Sequence, residues 1–192
     1  MRGISPKACI RGAGGLTIAM AVAAWAVAQP SGTQAANARV ERGQYLVTIL
    51  ACGDCHTPFR MGPQGPEPDQ SRALSGHPAG MKLPAVPPLP EGWMWVGSAT
   101  NTAFAGPWGV SYAPNLTSDA TGLGQWTEEM FVQALRTGKH AGVGRPILPP
   151  MPWPQYGKMT DDDLKAVFAA LHATRPIKNA APLSEPAPPP GQ

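Results

Sequence analysis

The stretch Ala51-Cys52-Gly53-Asp54-Cys55-His56-Thr57, "ACGDCHT", contains two of the three cysteines in this chain of 192 residues. Two residues separate Cys52 from Cys55, and His56 directly follows the second thiol. At helical spacing the two thiols lie about one turn apart, with an imidazole beside them. The interpretation of the rest of the sequence depends on which chemistry suits these three side chains.

The pattern C-x-x-C-H is the attachment motif for c-type haem. Two thiols at this spacing can each add to one vinyl group of the same porphyrin, which gives two thioether bonds that fix the ring edge to the backbone. The adjacent His56 then presents its Nε2 to the iron as the proximal ligand. The motif therefore predicts one covalently attached haem c, held by Cys52, Cys55 and His56.

Three other uses of this motif fit the sequence less well. A structural zinc site usually needs four ligands, and the remaining histidines (His77, His140 and His172) lack the H-x₃₋₅-H spacing. A thioredoxin-type dithiol requires a βαβ context, which the sequence pattern does not show. A disulfide between Cys52 and Cys55 would be strained and would leave His56 without a role.

Residues 1–28 have the features of a signal peptide. Arg2, Lys7 and Arg11 precede the apolar run "GGLTIAMAVAAWAVA", and the small residues Ala26-Val27-Ala28 suit signal peptidase. The run is about fifteen residues long, shorter than the ~20 that span a bilayer. We therefore expect cleavage, export and a periplasmic location in a bacterium. The alternative is a retained anchor, and membrane association is expected only in that case.

The charge of the chain argues against a nucleic-acid partner. The chain has 15 basic and 12 acidic residues, and removal of residues 1–28 takes away three basic ones, so that the two totals become equal. The remaining sequence contains no Lys/Arg run with interleaved aromatic residues. We therefore expect no binding to nucleic acid.

The chain beyond residue 28 is expected to contain a flexible lead-in (29–38), one domain (39–176) and a disordered Pro-rich tail (177–192). The 22 glycines and 24 prolines predict long irregular loops, chiefly in 57–124. Long irregular loops bury little apolar surface, and this burial offsets only a small part of the entropy that is lost when the loops become ordered. We therefore expect that a cofactor organises them. Within this loop, Met94–Ser98 and Gly109–Ala113 are expected to pair as one short β-hairpin.

Three helical segments are predicted. Residues 38–56 are expected to be helical up to the cysteines, because their apolar residues share one face. Thr127 can cap a second helix, "EEMFVQALRT", which Gly138 would end. Thr160 can cap a third, in which the acidic residues 161–163 are explained by the cap and the helix dipole, so they do not predict a metal site. Its apolar stripe consists of Leu164, Val167, Phe168 and Leu171.

These segments resemble class I c-type cytochromes. The resemblance rests on "RGQYL" before C-x-x-C-H, on "NLTSDATGLGQWTEEMFVQALRTG" and on "ILPPMPWPQYGKMTDDDLKAVFAALHA". The sequence is similar to monohaem bacterial periplasmic cytochromes and to haem subunits of membrane-associated dehydrogenases, over about residues 39–176. The resemblance implies a mainly α cytochrome c fold, in which the N- and C-terminal helices cross at the haem. Gly43 would permit this close approach, with Phe168 and Leu171 as its partners.

Met151 is the predicted sixth ligand of the iron. It lies among prolines, which fix φ and hold the loop in place without regular secondary structure; they are at 146, 149, 150, 152 and 154. The resemblance places the ligand methionine in such a loop ahead of the last helix. Met130 and Met159 have sufficient roles in packing, and His77 and His140 are the alternative ligands. The residues expected to shield the haem are Trp126, Phe131 and Phe168.

Ligation by His and Met fills both axial positions and leaves no open site for a substrate. We therefore expect an electron carrier or electron-transfer subunit, not an enzyme, that cycles between Fe(II) and Fe(III) and docks transiently on redox partner proteins. One alternative is a haem subunit of a dehydrogenase complex, with the loop 57–124 contacting the catalytic subunit. Another is a haem enzyme or gas sensor with a labile sixth ligand, which rapid CO binding would reveal.

Overall fold

The structure is a computed structural model and describes residues 31–187. The predicted signal peptide and residues 188–192 lie outside the described residues. The α-helices of the described part are α1 (Gly32–Ile49), α2 (Cys52–His56), α3 (Glu128–Thr137), α4 (Trp153–Tyr156) and α5 (Asp161–His172). Short 3₁₀ turns occur at Gln70–Arg72 and His140–Gly142. No helix within residues 31–187 has both the length and the apolar character needed to cross a bilayer.

Two small antiparallel sheets lie in the long connection between α2 and α3. The first is a hairpin of β1 (Phe59–Gly62) and β2 (Gly65–Pro68). The second has the order β3-β4-β5-β6 and consists of Val96–Gly97, Ala103–Gly106, Gly109–Tyr112 and Glu185–Pro186. Helices contribute more of the described residues than strands do, which agrees with the predicted helix-rich class.

Helices α1 and α5 cross at a glycine, as predicted. A Cβ on Gly43 would lie 1.9 Å from the Ala166 carbonyl oxygen and 2.7 Å from the Ala170 Cβ. The predicted partners Phe168 and Leu171 were therefore wrong, because the point of closest approach requires small residues on both helices. Leu171 is instead buried in the core beside this crossing, and Phe168 packs against it.

The caps of α3 and α5 are those that the sequence predicts. The Thr127 hydroxyl accepts a hydrogen bond from the Met130 amide at 3.2 Å, and Gly138 ends α3 with a left-handed φ of 67°. The Thr160 hydroxyl accepts from the Asp163 amide at 3.1 Å. Both helices turn their apolar stripes inward, so that Phe131, Leu135, Leu164 and Leu171 form one core with Leu46 of α1.

The first helix differs from the prediction at both ends. It begins at Gly32, where Ser31 caps the Gln34 amide, so most of the expected flexible lead-in 29–38 is helical. The Ala-rich sequence "TQAANA" favours a helix there, although most of these residues are exposed. At the other end α1 stops at Ile49, and Ala51, with a φ of 55°, turns the chain into the separate short helix α2.

The predicted hairpin was wrong, because its two segments each pair with a third strand. Val96–Gly97 and Gly109–Tyr112 do not pair with each other, because Ala103–Gly106 lies between them and pairs with both. A two-residue turn, Pro107-Trp108, joins β4 to β5. The small residues of "AFAG" gave no strand signal, yet Ala103, Phe104 and Ala105 are buried, so tertiary packing determines this strand.

The segment after α5 returns to the sheet instead of forming the predicted disordered tail. Glu185–Pro186 pairs with Gly109–Val110, and a Cβ on Gly109 would lie 2.0 Å from the Glu185 carbonyl oxygen. The buried Asn179 amide donates to the carbonyls of Ser75 and His77 at 2.7 and 2.8 Å. Residues 177–187 are therefore part of the domain, which extends beyond the predicted boundary at 176.

We predict that Gly43→Ala lowers the free energy of unfolding by about 1–3 kcal/mol, because the new methyl overlaps the backbone of Ala166. This loss would exceed the gain of up to ~1 kcal/mol in helix propensity. Urea unfolding of the mature protein measures the change. Gly32→Ala in the same helix is the control, since no atom lies within 4 Å of its added Cβ. A Gly43→Ala protein as stable as this control would contradict the crossing.

Candidate functional site

An apolar cavity of about 240 Å³ lies between the helices and the four-stranded sheet. Its wall includes the end of α1, α2, strands β4 and β5, α3, the proline-rich loop and α5. This volume is far above the ~10–15 Å³ that a cavity needs to hold one water, whereas protein interiors contain few voids larger than one water. The surroundings are thus shaped for a large apolar group.

All four residues predicted to hold a cofactor line this cavity. Cys52, Cys55 and His56 contribute from α2, and Met151 contributes from the loop between α3 and α5. Met151 is separated from the C-x-x-C-H motif by most of the domain, so its place in the wall depends on the tertiary fold. The fold thus brings together one imidazole, two thiols and a thioether around an apolar space.

The imidazole of His56 is held in one tautomer. Its Nδ1 lies 2.9 Å from the carbonyl oxygen of Pro114. Because a carbonyl can only accept a hydrogen bond, Nδ1 carries the proton and Nε2 keeps a lone pair for a metal. Burial lowers the pKa of His56, so the ring is neutral at pH 7. These are the properties required of a proximal ligand, and a carbonyl acceptor is the usual partner of such a histidine.

The two cysteines are free thiols. Burial raises the pKa of Cys52 to about 11, and burial likewise raises the pKa of Cys55. Dithiols of the thioredoxin type have a lowered pKa, so these cysteines do not resemble a redox pair. Within residues 31–187, no group of three or more His, Cys, Asp or Glu side chains is arranged to hold a metal ion.

Hydrogen bonds from distant segments hold α2 and the residues before it. The Tyr156 hydroxyl donates to the Leu50 carbonyl at 2.6 Å, and the Asn101 side-chain amide donates to the Asp54 carbonyl at 2.8 Å. The Gly76 amide donates to the His56 carbonyl at 2.7 Å. The motif is therefore fixed by the proline-rich loop on one side and by the long connection on the other.

The loop that carries Met151 is held by both the sheet and α3. The Ser111 hydroxyl lies 2.6 Å from the Pro149 carbonyl oxygen and 3.2 Å from the Phe104 carbonyl oxygen. Because a hydroxyl has only one proton to donate, we assign the hydrogen bond to the closer acceptor, Pro149. The Ile147 amide donates to the Gly138 carbonyl at 2.8 Å. Beyond the loop, the Arg136 guanidinium donates to the Gly157 carbonyl and forms an ion pair with the Asp161 carboxylate. The prolines thus act together with specific tertiary hydrogen bonds.

Among the other methionines of the described residues, only Met159 also lines the cavity. It packs against the core directly before the Thr160 cap, where the sequence predicts a packing role. Met61, Met81 and Met94 have exposed fractions of 78%, 41% and 67%. The cavity therefore leaves Met151 and Met159 as the two thioethers within reach of a bound group.

The two histidines considered as alternative ligands differ in position. His77 is fully buried, its Nδ1 lies 2.9 Å from the Thr102 hydroxyl, and it does not line the cavity. Its ring packs on Tyr112 instead, with centroids 5.0 Å apart. His140 does line the cavity, in the loop after α3, where its ring contacts Trp126 edge to face.

Two of the three aromatic residues that were predicted to shield the haem are in the wall of the cavity. Trp126 and Phe131 line the cavity, whereas Phe168 does not. Phe168 packs against Phe131 at a centroid distance of 5.6 Å and so supports the wall from behind. Of the two aromatic residues after Met151, Tyr156 lines the cavity and Trp153 does not.

Four residues of the site were missed by sequence reasoning. Pro114 orients His56, Ser111 holds the Met151 loop, and Ser184 reaches the wall from the segment that follows α5. Arg145 also lines the cavity. The only available signal for Arg145 was its place six residues before Met151, in the same proline-rich segment, and the other three depend on contacts between distant parts of the chain.

The fold places the C-x-x-C-H motif and Met151 in the wall of one apolar cavity. No protein-family model matches the chain. The cytochrome c subunit of the quinone alcohol dehydrogenase of Gluconobacter oxydans is 29% identical over 150 residues, covering 76% of this chain and 24% of that protein. The cytochrome c subunit of gluconate 2-dehydrogenase from Pantoea cypripedii is 29% identical over 149 residues, covering 77% and 26%.

A third relative is the fructose dehydrogenase cytochrome subunit of Gluconobacter japonicus, 28% identical over 159 residues, covering 82% of this chain and 26% of that protein. These similarities confirm the predicted resemblance to c-type cytochromes and to haem subunits of dehydrogenases. Each of these relatives is, by its name, a cytochrome subunit of a dehydrogenase. The chain spans about a quarter of the length of the curated relatives that it matches.

We predict that Ser111→Ala loosens the Met151 loop, because the Pro149 carbonyl loses its donor. The expected loss in the free energy of unfolding is about 1 kcal/mol. Ser118→Ala is the matched control, since the Ser118 hydroxyl donates to the Thr174 carbonyl at 2.7 Å away from the cavity. Hydrogen exchange of the Ile147 amide, which donates to the Gly138 carbonyl in the same loop, should accelerate in Ser111→Ala alone. Equal exchange in both variants would show that this bond does not hold the loop.

Proposed function

We propose that this chain is an electron-transfer domain with the cytochrome c fold and one haem c. In this proposal Cys52 and Cys55 would hold the porphyrin through thioether bonds, while His56 and Met151 would ligate the iron. The observation that supports it best is the convergence of these four side chains on one apolar cavity. The similarity to cytochrome c subunits of dehydrogenases supports the same cofactor.

The residues present fit a haem chemically. Each thiol can add across a vinyl double bond, forming one S–C and one C–H bond, so attachment requires no external oxidant. The neutral Nε2 of His56 is available because Pro114 occupies Nδ1. The bound haem would supply one-electron chemistry through the Fe(III)/Fe(II) couple. The protein would bind it, exclude water with the wall of Trp126 and Phe131, and raise its reduction potential through thioether ligation.

The geometry favours a closed iron site over that of a haem enzyme or gas sensor. The Met151 loop is tied to β5, to α3 and, through α4, to the segment before Cys52. A ligand on a loop held at several points stays close to its position in both redox states, which keeps the structural rearrangement on electron transfer small. No step in this role requires a substrate to reach the iron.

A subunit within a dehydrogenase complex is the more specific form of this proposal. It is supported by the named relatives and by exposed apolar side chains in the loop 57–124. Trp93 and Met94 are each 67% exposed, and Trp95 is 40% exposed. Exposed apolar residues grouped in this way are typical of surfaces that contact other proteins. Export to the periplasm, directed by the segment 1–28, would place the haem where c-type attachment takes place.

We predict that the full chain, co-expressed with a haem maturation system in a bacterium, carries one haem that survives denaturation and acid extraction. Mass spectrometry of the mature protein should show one haem for each polypeptide. A Cys52→Ala/Cys55→Ala double variant should lose the covalent group, whereas Asp54→Asn, which leaves both thiols in place, should keep it. Wild-type protein recovered as bare polypeptide from a system that matures a control cytochrome would refute the proposal.

We predict that Met151→Ala, but not Met159→Leu, removes the sixth ligand. The ferric Met151→Ala protein should lose the far-red Met–iron charge-transfer band, and its reduction potential should fall because a thioether favours Fe(II). The ferrous variant should bind CO rapidly, while the wild type binds it slowly or not at all. Loss of the band in Met159→Leu instead would assign the ligand to Met159. Fast CO binding by the wild type would support the gas-sensor alternative.

A further inference from the structure

Arg145 lines the cavity, and no ion pair within residues 31–187 accounts for its charge. We propose that its guanidinium binds a propionate carboxylate of the haem and thereby raises the reduction potential of the iron. This inference rests on the proposed function, because it requires a haem in the cavity. It assigns to Arg145 a positioning and tuning role that is separate from those of the four cofactor-holding residues.

The wall of the cavity is otherwise without permanent charge. Its lining contains two neutral thiols, histidines, and apolar or uncharged polar side chains, while no Asp, Glu or Lys is among the lining residues that the structure describes. Arg145 is itself largely exposed, which places it where the cavity opens to solvent. Its guanidinium therefore places a positive charge at this opening.

The backbone of the loop fixes this position. The His140 amide donates to the Arg145 carbonyl at 2.9 Å, and the Ile147 amide donates to the Gly138 carbonyl at 2.8 Å. Lys139 and Pro146 form an antiparallel bridge between these two bonds. Residues 138–147 are thus a closed hairpin-like loop that begins at the end of α3 and continues into the Met151 segment.

No protein carboxylate neutralises Arg145 within residues 31–187. The ion pairs there involve other cations, namely Arg39, Arg42, Arg60, Arg136 and Lys165. A titratable group that feels the charge of Arg145 is also basic: burial lowers the pKa of His140, and the positive charge of Arg145 lowers it further. A guanidinium beside an imidazole, with no acid between them, favours binding of an anion.

A haem propionate is the anion that this position fits. The propionates extend from one edge of the porphyrin and must end near solvent or a cation, because a buried unpaired carboxylate is costly. A guanidinium binds a carboxylate through two parallel N–H···O bonds, which a lysine cannot reproduce. Neutralising this negative charge near the iron disfavours Fe(III) relative to Fe(II), so the reduction potential rises.

The test compares Arg145→Gln, Arg145→Lys and Lys139→Gln in the matured holoprotein. Lys139 is the matched control because it lies in the same loop, carries the same charge and does not line the cavity. Haem content is measured first, and the midpoint potential is then recorded between pH 5 and pH 9 at low and high salt. Haem missing from the wild type would refute the proposed function itself, whereas the comparison of variants tests Arg145 alone.

The fall in midpoint potential should be several-fold larger in Arg145→Gln than in Lys139→Gln. Arg145→Gln should also introduce a pH dependence near neutrality, because a propionate without its cation has a higher pKa. Arg145→Lys should give an intermediate potential, since it keeps the charge without the bidentate geometry. Equal shifts in Arg145→Gln and Lys139→Gln that both vanish at high salt would overturn the inference, since they would reflect only screened surface charge.

Discussion

The contact between Gly43 and Ala166 is the constraint on which the rest of the structure depends. With no side chain at position 43, the backbones of α1 and α5 come close enough that even a methyl group would overlap a carbonyl. This crossing fixes how α1 lies against α5, and the short helix with Cys52, Cys55 and His56 follows directly after α1. It also places Leu164 and Leu171 of α5 in the wall of the same cavity.

Much of the domain between its helices and strands is loop, and side-chain amides and hydroxyls hold these irregular segments in place. The Asn115 amide donates to the Ile177 carbonyl at 2.7 Å, while its oxygen accepts from the amide and the hydroxyl of Thr117 at 2.9 and 2.8 Å. Asn179 joins the same segment to residues 75–77. Buried backbone groups in irregular segments need such partners, so these two asparagines determine how the long connection folds around the cavity.

The sequence was sufficient to predict the elements whose signals are local. The Thr127 and Thr160 caps, the C-x-x-C-H motif and the proline-fixed Met151 segment are each contained within a few residues, and the structure places the motif and Met151 at one cavity. The strand at 103–106, the partners of Gly43 and the return of residues 177–187 to the sheet depend on packing between distant segments. No periodicity or composition at Ala103, Ala166 or Asn179 distinguishes these residues from ordinary loop or helix residues.

The two sides of the site differ in how firmly they are held. His56 lies between two points of attachment, since its Nδ1 bonds to Pro114 and its carbonyl accepts from Gly76, and the thioether bonds of the proposed haem would add a covalent link on the same helix. Met151 would be a weaker ligand on a loop that is held by single hydrogen bonds from Ser111 and Ile147. Perturbation of the sheet or of the loop should therefore affect the methionine side first and leave the histidine side in place. An electron-transfer protein can tolerate this asymmetry, because one permanent attachment retains the haem while the second ligand tunes its potential.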